Sequence, residues 1–476
     1  MRPAGVRATA AMAALLVAGG CVVGPRYVQP AAPPGAGRPF VSAALPGNLN
    51  QPLPAHWWRL YRDPVLDRLV TAALAENNDL KVAAANLAYA KALLDESRAG
   101  RFPATGASAS ADYGRSGAGP GRSTALAYAA GFTASWQIDL FGRIRRGIEA
   151  ARADAEATLA AEDAVRVTVA GQTAGAYVGI CGYGRQAAVA RRSLATVQSA
   201  YDLTAIERDA GALSDFDVDR EAVLLEQTRA AVAPLEGARR ASLFALAALI
   251  GKTPAQVPAD AAACQTVPTL SQPLPVGDGA ALLRRRPDLR QAERRLAAAT
   301  ARIGVAAADL YPTVTLGGSV GQAGGGSGQF RATGLSYSVG PLITWSLPNL
   351  LVAAAHVREA RAQASGAVAA FDGAVLGALR DAETALSSYG AELDRHIALV
   401  SARGSAAGAL RLADIQYKAG AASFLDLLQA QTAAIDADQA LAVSDQAIGA
   451  DQVAVFQALG GGWEEAPAVV VPQVGR

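Results

Sequence analysis

Gly211-Ala212-Leu213-Ser214-Asp215-Phe216-Asp217 and Gly420-Ala421-Ala422-Ser423-Phe424-Leu425-Asp426 stand 209 residues apart in a chain of 476. The same gap-free offset joins Asp79-Leu80 to Asp288-Leu289, Phe102-Pro103 to Tyr311-Pro312, and Trp136 to Trp345. It also joins Ala151-Arg152 to Ala360-Arg361 and Gly251 to Gly460. One spacing that recurs at separate places marks an internal duplication, and a repeat governs the fold more than local propensity does. The two copies run over about 64–251 and 273–460.

Working outward from the quoted blocks, Ser214 and Ser423 are N-cap candidates, with Asp217 and Asp426 three residues on, near the positive helix end. Gly211 and Gly420 supply a sharp turn before them. The stretches that precede the turns, 142–210 and 351–419, contain no proline. As helices they would each be about 100 Å long at 1.5 Å per residue. Return helices follow over 214–250 and 423–459, and Pro234 predicts a kink in the first. Copy one opens with a helix from Pro64 to Arg101, capped by Asp63 and stopped before Pro103.

Between the opening and long helices the period changes to two. Tyr128, Ala130, Phe132, Ala134, Trp136 and Ile138 share one parity, as do Leu335, Tyr337, Val339, Ile343, Trp345 and Leu347. Hairpins are predicted over 104–138 and 313–347, with glycine-rich tips at 114–121 and 324–328. Alternation over about 10 residues is enough for a tilted strand to cross a membrane. Residues 252–272, with Pro254, Pro258 and Pro268, form an equatorial connector, and 21–63 and 461–476 are expected to be extended.

Composition narrows the function. Hydrophobic residues make up 51 % of the chain but aromatics only 6 %, so the apolar content is mostly small side chains. Charged residues are 18 %, below the roughly 25 % of an average soluble domain. A net charge of +2 gives nucleic acid no electrostatic foothold. The apolar content excludes a disordered chain, and the lack of several long apolar runs excludes a helical multispan protein. His56, His356 and His396 have no metal-ligand spacing, and no acid/base or nucleophile set is evident. The sequence therefore predicts no enzyme activity, no metal and no cofactor. Arg284-Arg285-Arg286 reads as the solvated start of a helix.

Residues 1–20, with Arg2 and Arg7 before a short apolar run, read as an export signal. Ala18-Gly19-Gly20-Cys21 resembles a lipobox, which would make Cys21 the acylated first residue of the mature chain. The alternative is an ordinary secretory signal with an incidental cysteine. Either route leads to an oxidising compartment. Cys181 would sit about 45 Å up the long helix from Gly211, and Cys264 just past the return helix, which ends near 60 Å. Connector slack lets the two meet as a disulfide; separate buried thiols are the alternative.

Two hairpins give four membrane strands per chain. Four strands cannot close a barrel, and an open edge in lipid leaves backbone groups unpaired. Several chains must pool strands, and three would supply twelve. Here the residues resemble a known family, the TolC-like outer membrane efflux channels, and within it the OprM/NodT-type lipoprotein branch. The resemblance rests on Cys21-x-x-Gly24-Pro25-x-Tyr27-x-x-Pro30, Trp57-Trp58-x-x-Tyr61-x-Asp63-Pro64-x-Leu66, and Leu283-x-Arg285-Arg286-Pro287-Asp288-Leu289. Gly420-x-x-Ser423-x-x-Asp426 and Leu459-Gly460-Gly461-Gly462-Trp463 complete it.

The resemblance implies a mainly helical protein with membrane β-structure. It would be a homotrimer with a 12-strand outer-membrane barrel above a periplasmic α-barrel of long helical hairpins. It would serve as a passive exit duct, with a periplasmic adaptor (membrane fusion) protein and an inner-membrane transporter as partners. By the same resemblance the tips around Gly211, Ser214, Asp217, Gly420, Ser423 and Asp426 meet the adaptor. Leu410 and Asp414 then form leucine and aspartate rings that narrow the periplasmic mouth. Copy one has Tyr201 and Ala205 at the matching positions, so the repeat breaks its symmetry there. An Asp414 paired with Lys418 on a solvated helix face is the other reading of that residue. The competing function is a non-pore periplasmic adaptor or structural protein built on long helical hairpins.

Overall fold

The computed structural model describes residues 22–44, 48, 49, 51, 53–116, 123–270, 272–325, 335–345 and 350–470. Helices are α1 (Pro64–Glu76), α2 (Asn78–Ala99), α3 (Arg143–Asp209), α4 (Asp215–Leu249), α5 (Ala259–Ala262), α6 (Gly279–Arg285), α7 (Pro287–Ala308), α8 (Leu350–Lys418) and α9 (Phe424–Ala458). Strands are β1 (Asn48–Leu49), β2 (Ala104–Ser116), β3 (Ser123–Ile138), β4 (Leu274–Pro275), β5 (Thr313–Gly325) and β6 (Leu335–Thr344). The 209-residue offset carries α2 onto α7, β2 onto β5 and α4 onto α9, residue for residue. It reaches side chains too. Trp136 Nε1 donates to the Arg101 carbonyl at 2.9 Å, and Trp345 Nε1 to the Leu310 carbonyl at 3.3 Å.

The chain divides into two compact units. The first comprises Met1–Ala31, Asn86–Leu159 and Gln291–Asp372. Its antiparallel sheet has the order β2-β3-β5-β6. Paired residues share a face, so the register decides the chemistry of each face. Ala111 pairs with Tyr128, Ala107 with Phe132, Phe132 with Val320, Val320 with Tyr337, and Trp136 with Leu316. All the large aromatics therefore fall on one side. The other side collects Ser108, Ser110, Thr133, Ser135, Thr315, Gly317, Ser319, Ser336 and Ser338, with Leu342 as its one large apolar residue. Ser319 and Ser338 hydrogen-bond there at 2.8 Å. Period-two alternation is thus coherent over four strands, as a wall between lipid and an aqueous lumen requires. The helical parts of this unit pack through small contacts: Leu94, Ile148 and Ala155 in one cluster, Ala299, Ile303, Ala360 and Ala364 in another.

The second unit comprises Ala32–Ala85, Ala160–Arg290 and Gly373–Arg476. Its aromatic core stacks Trp57 on Phe456 at 4.5 Å, with Trp58 and Tyr61 edge-on to Trp57. β1 and β4 pair in parallel. A second cluster joins Val197, Leu224, Leu225 and Leu428, with Tyr201 and Phe424 packed against it.

Local expectations need two corrections. The opening helix of copy one is two helices, broken at Asn77, which is extended (ψ 134°). Its Oδ1 accepts from the Asp79 and Leu80 amides at 2.8 and 3.2 Å, and its Nδ2 donates to the Leu249 carbonyl at 3.0 Å. A side chain so bonded caps the next helix instead of continuing the last. Copy two breaks at the equivalent Arg286 for a different reason, because Pro287 disfavours helical backbone in the residue before it. Pro234 lies inside α4, which continues past it as one helix, and a kink of the kind expected there is compatible with that continuity. The segments read as extended also hold 3₁₀ turns, at Val41–Ala44 and Trp57–Tyr61. At the hairpin tips Gly114 and Gly324 are strand residues, and 117–122 and 326–334 lie outside the described residues. One helix, α8, has an 18-residue window of mean hydropathy 1.2, enough by length and composition to cross a membrane.

Candidate functional site

The long helices end alike. Gly211 and Gly420 have φ of +77° and +71°, a region that a Cβ disfavours. The Ala212 amide donates to the Glu207 carbonyl and the Gly211 amide to Arg208, both at 2.9 Å. In copy two Ala421 bonds Gln416 at 2.8 Å and Gly420 bonds Tyr417 at 2.9 Å. These paired closures satisfy the last carbonyls of each helix. The next helix then starts with a capping box. Ser214 Oγ accepts from the Asp217 amide at 3.3 Å while Asp217 Oδ2 accepts the Ser214 amide at 3.2 Å. Ser423 and Asp426 repeat this at 3.2 and 2.9 Å. The Ser423 hydrogen bonds hold the Asp426 carboxyl below its usual range. Exposed apolar groups stand beside these turns: Phe216 is 66 % exposed and Ile206 65 %.

Near the tips the two copies are tied by a bond between positions that the repeat does not equate. Tyr417 OH donates to Glu207 Oε2 at 2.8 Å. Burial, then Glu207, pushes the phenol up to about 12. Leu410 is half-buried and lines a crevice of about 130 Å³ with Arg192, Arg403, Gln431 and Ile435. Asp414 Oδ2 accepts from Lys418 Nζ at 2.8 Å, an i,i+4 pair. Both partners are more than two-fifths exposed, so the pair contributes at most about 0.5 kcal/mol. Asp414 is thus not a bare carboxylate in the single chain.

Glu221 carried no signal in the cap-and-turn reading. It is fully buried on the face of α4 that carries Val218, Leu224 and Leu225, and neither carboxylate oxygen has a hydrogen-bond partner. Burial pushes its carboxyl up to about 7. The one available clue is again broken symmetry, since its counterpart 209 residues on is Ala430.

Cys181 and Cys264 are joined by a disulfide with their Cα atoms 4.8 Å apart. Arg239 donates to the Ala262 carbonyl beside it. A side chain at Gly184 of α3 would collide with the Cys264 carbonyl, so the connector lies directly on the helix.

Cys21 lies outside the described residues, but its neighbours are held where β3 gives way to α3. The Val23 amide donates to the Phe141 carbonyl at 3.2 Å, and Arg146 donates to the carbonyls of Val23 and Gly24, each at 3.2 Å. Gly24 has φ +89°, and a Cβ there would stand 2.5 Å from the Gly304 Cα. Tyr27 OH donates to Glu293, whose carboxylate Arg294 also holds, with the guanidinium 5.5 Å over the Tyr27 ring. Among the described residues no group of three or more His, Cys, Asp or Glu side chains could hold a metal ion.

The family model described as outer membrane efflux protein matches residues 69–252 and 280–461, which are the two copies of the repeat. The chain belongs to that family. It is 30 % identical over 475 residues to Nodulation protein T of Rhizobium leguminosarum bv. viciae, covering 98 % of this chain and 95 % of that one. It is also 30 % identical to outer membrane protein OprJ of Pseudomonas aeruginosa, covering 98 % of each chain. The solved outer-membrane channel OprN superposes with a TM-score of 0.87 at 36 % identity, over 93 % of this chain and all of that one. The protein is an outer-membrane channel component of an efflux system, and it shares the fold of such channels. The family is one of ducts, not of enzymes. A periplasmic adaptor without a pore is the reading that these comparisons set aside.

Proposed function

We propose that three copies of this chain pool their strands into a twelve-strand barrel and act as a passive duct, shut at the periplasmic end until a partner opens it. The observation that carries this reading is the four-stranded sheet, with one apolar face and two unpaired edges, β2 and β6. In lipid every strand edge must find a partner, and a neighbouring copy offers β6 to β2. The periplasmic adaptor docks on the exposed turns at Gly211–Asp217 and Gly420–Asp426, and an inner-membrane transporter supplies the energy. Relatives are named for efflux of toluene, solvents and antibiotics in Pseudomonas putida, so the cargo here is of that small organic kind, with choice left to the transporter. Acylation of Cys21 adds a lipid anchor.

Leu410 and Asp414 narrow the closed mouth, three leucines making a dry constriction and three Asp414–Lys418 pairs a charged collar. The Tyr417–Glu207 bond holds α8 to α3 just beside it. Replacing Leu410 and Asp414 together by Ala should raise single-channel conductance in planar bilayers several-fold. Conductance at the wild-type value would place the constriction elsewhere. Failure to form any pore would remove the duct itself.

A further inference from the structure

The four strands are almost free of charge. Across Ala104–Ser116, Ser123–Ile138, Thr313–Gly325 and Leu335–Thr344 the ionisable acids and bases number two, Asp112 and Arg115. Register separates them. Asp112 pairs with Ala127, and Ala127 with Gly325, which puts it on the face of Ser108, Ser110, Thr133 and Ser319. Arg115 pairs along the backbone with Thr124, at the other parity of the strand. Asp112 is exposed. Its cross-strand and same-strand neighbours on that face are Ala127, Ala129, Ser110 and Gly114, too small to cover it and unable to neutralise it. It is eight residues into β2, about 26 Å from the helical end of the strand, in the half nearer the hairpin tip.

We infer that Asp112 is the selectivity-determining residue of the outer half of the duct, a ring of three carboxylates that favours cationic over anionic cargo. The inference rests on the trimeric-duct reading above. A wall of glycine, serine and threonine offers dipoles but no net charge. A single charge per chain within a low-dielectric wall therefore dominates the local potential and concentrates counter-ions. The cargo class that gains is the organic cation, an amine or a quaternary ammonium compound, because its charge meets the carboxylate while its apolar body slides along uncharged wall. Arg122 and Arg331 lie outside the described residues. They make charge reversal at position 112 itself the informative change.

The test uses the full-length protein in planar bilayers under a potassium chloride gradient, with reversal potential as the readout. Asp112→Asn should lower the potassium-to-chloride permeability ratio at least two-fold, and Asp112→Lys should lower it further. The shift should shrink at 1 M salt, where screening shortens to about 3 Å. Asp112→Asn changes no volume and so covers the case in which the lysine variant does not assemble. Asp112→Cys should lose the same selectivity and regain potassium preference when a negatively charged methanethiosulfonate added to the aqueous phase puts the charge back. Pores whose selectivity is unmoved by the asparagine variant overturn this inference and leave the duct standing. A wild-type protein that makes no pores overturns both.

Discussion

A buried carboxylate with no partner is an unstable arrangement, and Glu221 makes its consequence measurable. The carboxyl titrates near 7 in the folded chain against 4.5 ordinarily. Between those values the folded protein keeps a proton that the unfolded chain has released. Stability therefore falls as pH rises from about 4.5 to 7 and levels off above. The full effect at pH 8 is about 3 kcal/mol at most. Glu221→Gln keeps the shape and stays neutral, so its melting temperature should be flat where the wild type declines, and higher at pH 8. Parallel pH profiles for the two proteins would show that this carboxyl is solvated in the assembled state. Beyond the broken symmetry with Ala430, none of this was legible in the sequence, since an acidic residue seven positions into a helix looks like any solvated one. Burial is a property of which helices arrive beside it.

At the scale of elements, the Cys181–Cys264 bridge spans a sequence separation of 83 residues. Closing a loop of that size stabilises the folded state by up to about 4 to 5 kcal/mol in the chain-entropy picture. Replacing both cysteines by serine should lower the melting temperature and expose 252–272 to limited proteolysis, with strands and tips unaffected. A connector that resists protease equally in both proteins would mean that Arg239 and the packing on Gly184 already hold it. Much at this scale could be read directly. Helix ends at Gly211 and Gly420, capping at Ser214 and Ser423, and strand parity through Trp136 and Trp345 each depend on residues close in sequence. The break at Asn77 was only half legible, because its cap on the Asp79 and Leu80 amides is local while the bond that anchors the side chain goes to Leu249, 172 residues away. The Tyr417–Glu207 bond was hidden for the same reason, 210 residues separating its partners.

For the whole molecule, duplication in one chain and threefold association give six similar tips, each rigid because its last carbonyls and first amides are bonded internally. Gly211→Val and Gly420→Val put a β-branched side chain at positive φ, at a cost of about 1–2 kcal/mol or more each. They should abolish drug resistance in a complemented deletion strain while a heat-resistant trimer persists on gels. Normal resistance from both variants would show that the tips are not the adaptor contact. The strap at Val22–Gly24 is fixed by Phe141, Arg146 and Gly304. Consecutive Cα atoms are 3.8 Å apart, so the acyl group proposed for Cys21 would be moored within two residues, about 7.6 Å, of the bonded Val23 amide. Such a mooring is too short to swing. It would act as a draught mark on a hull, fixing how deep the protein rides in the inner leaflet whatever the local thickness of the membrane.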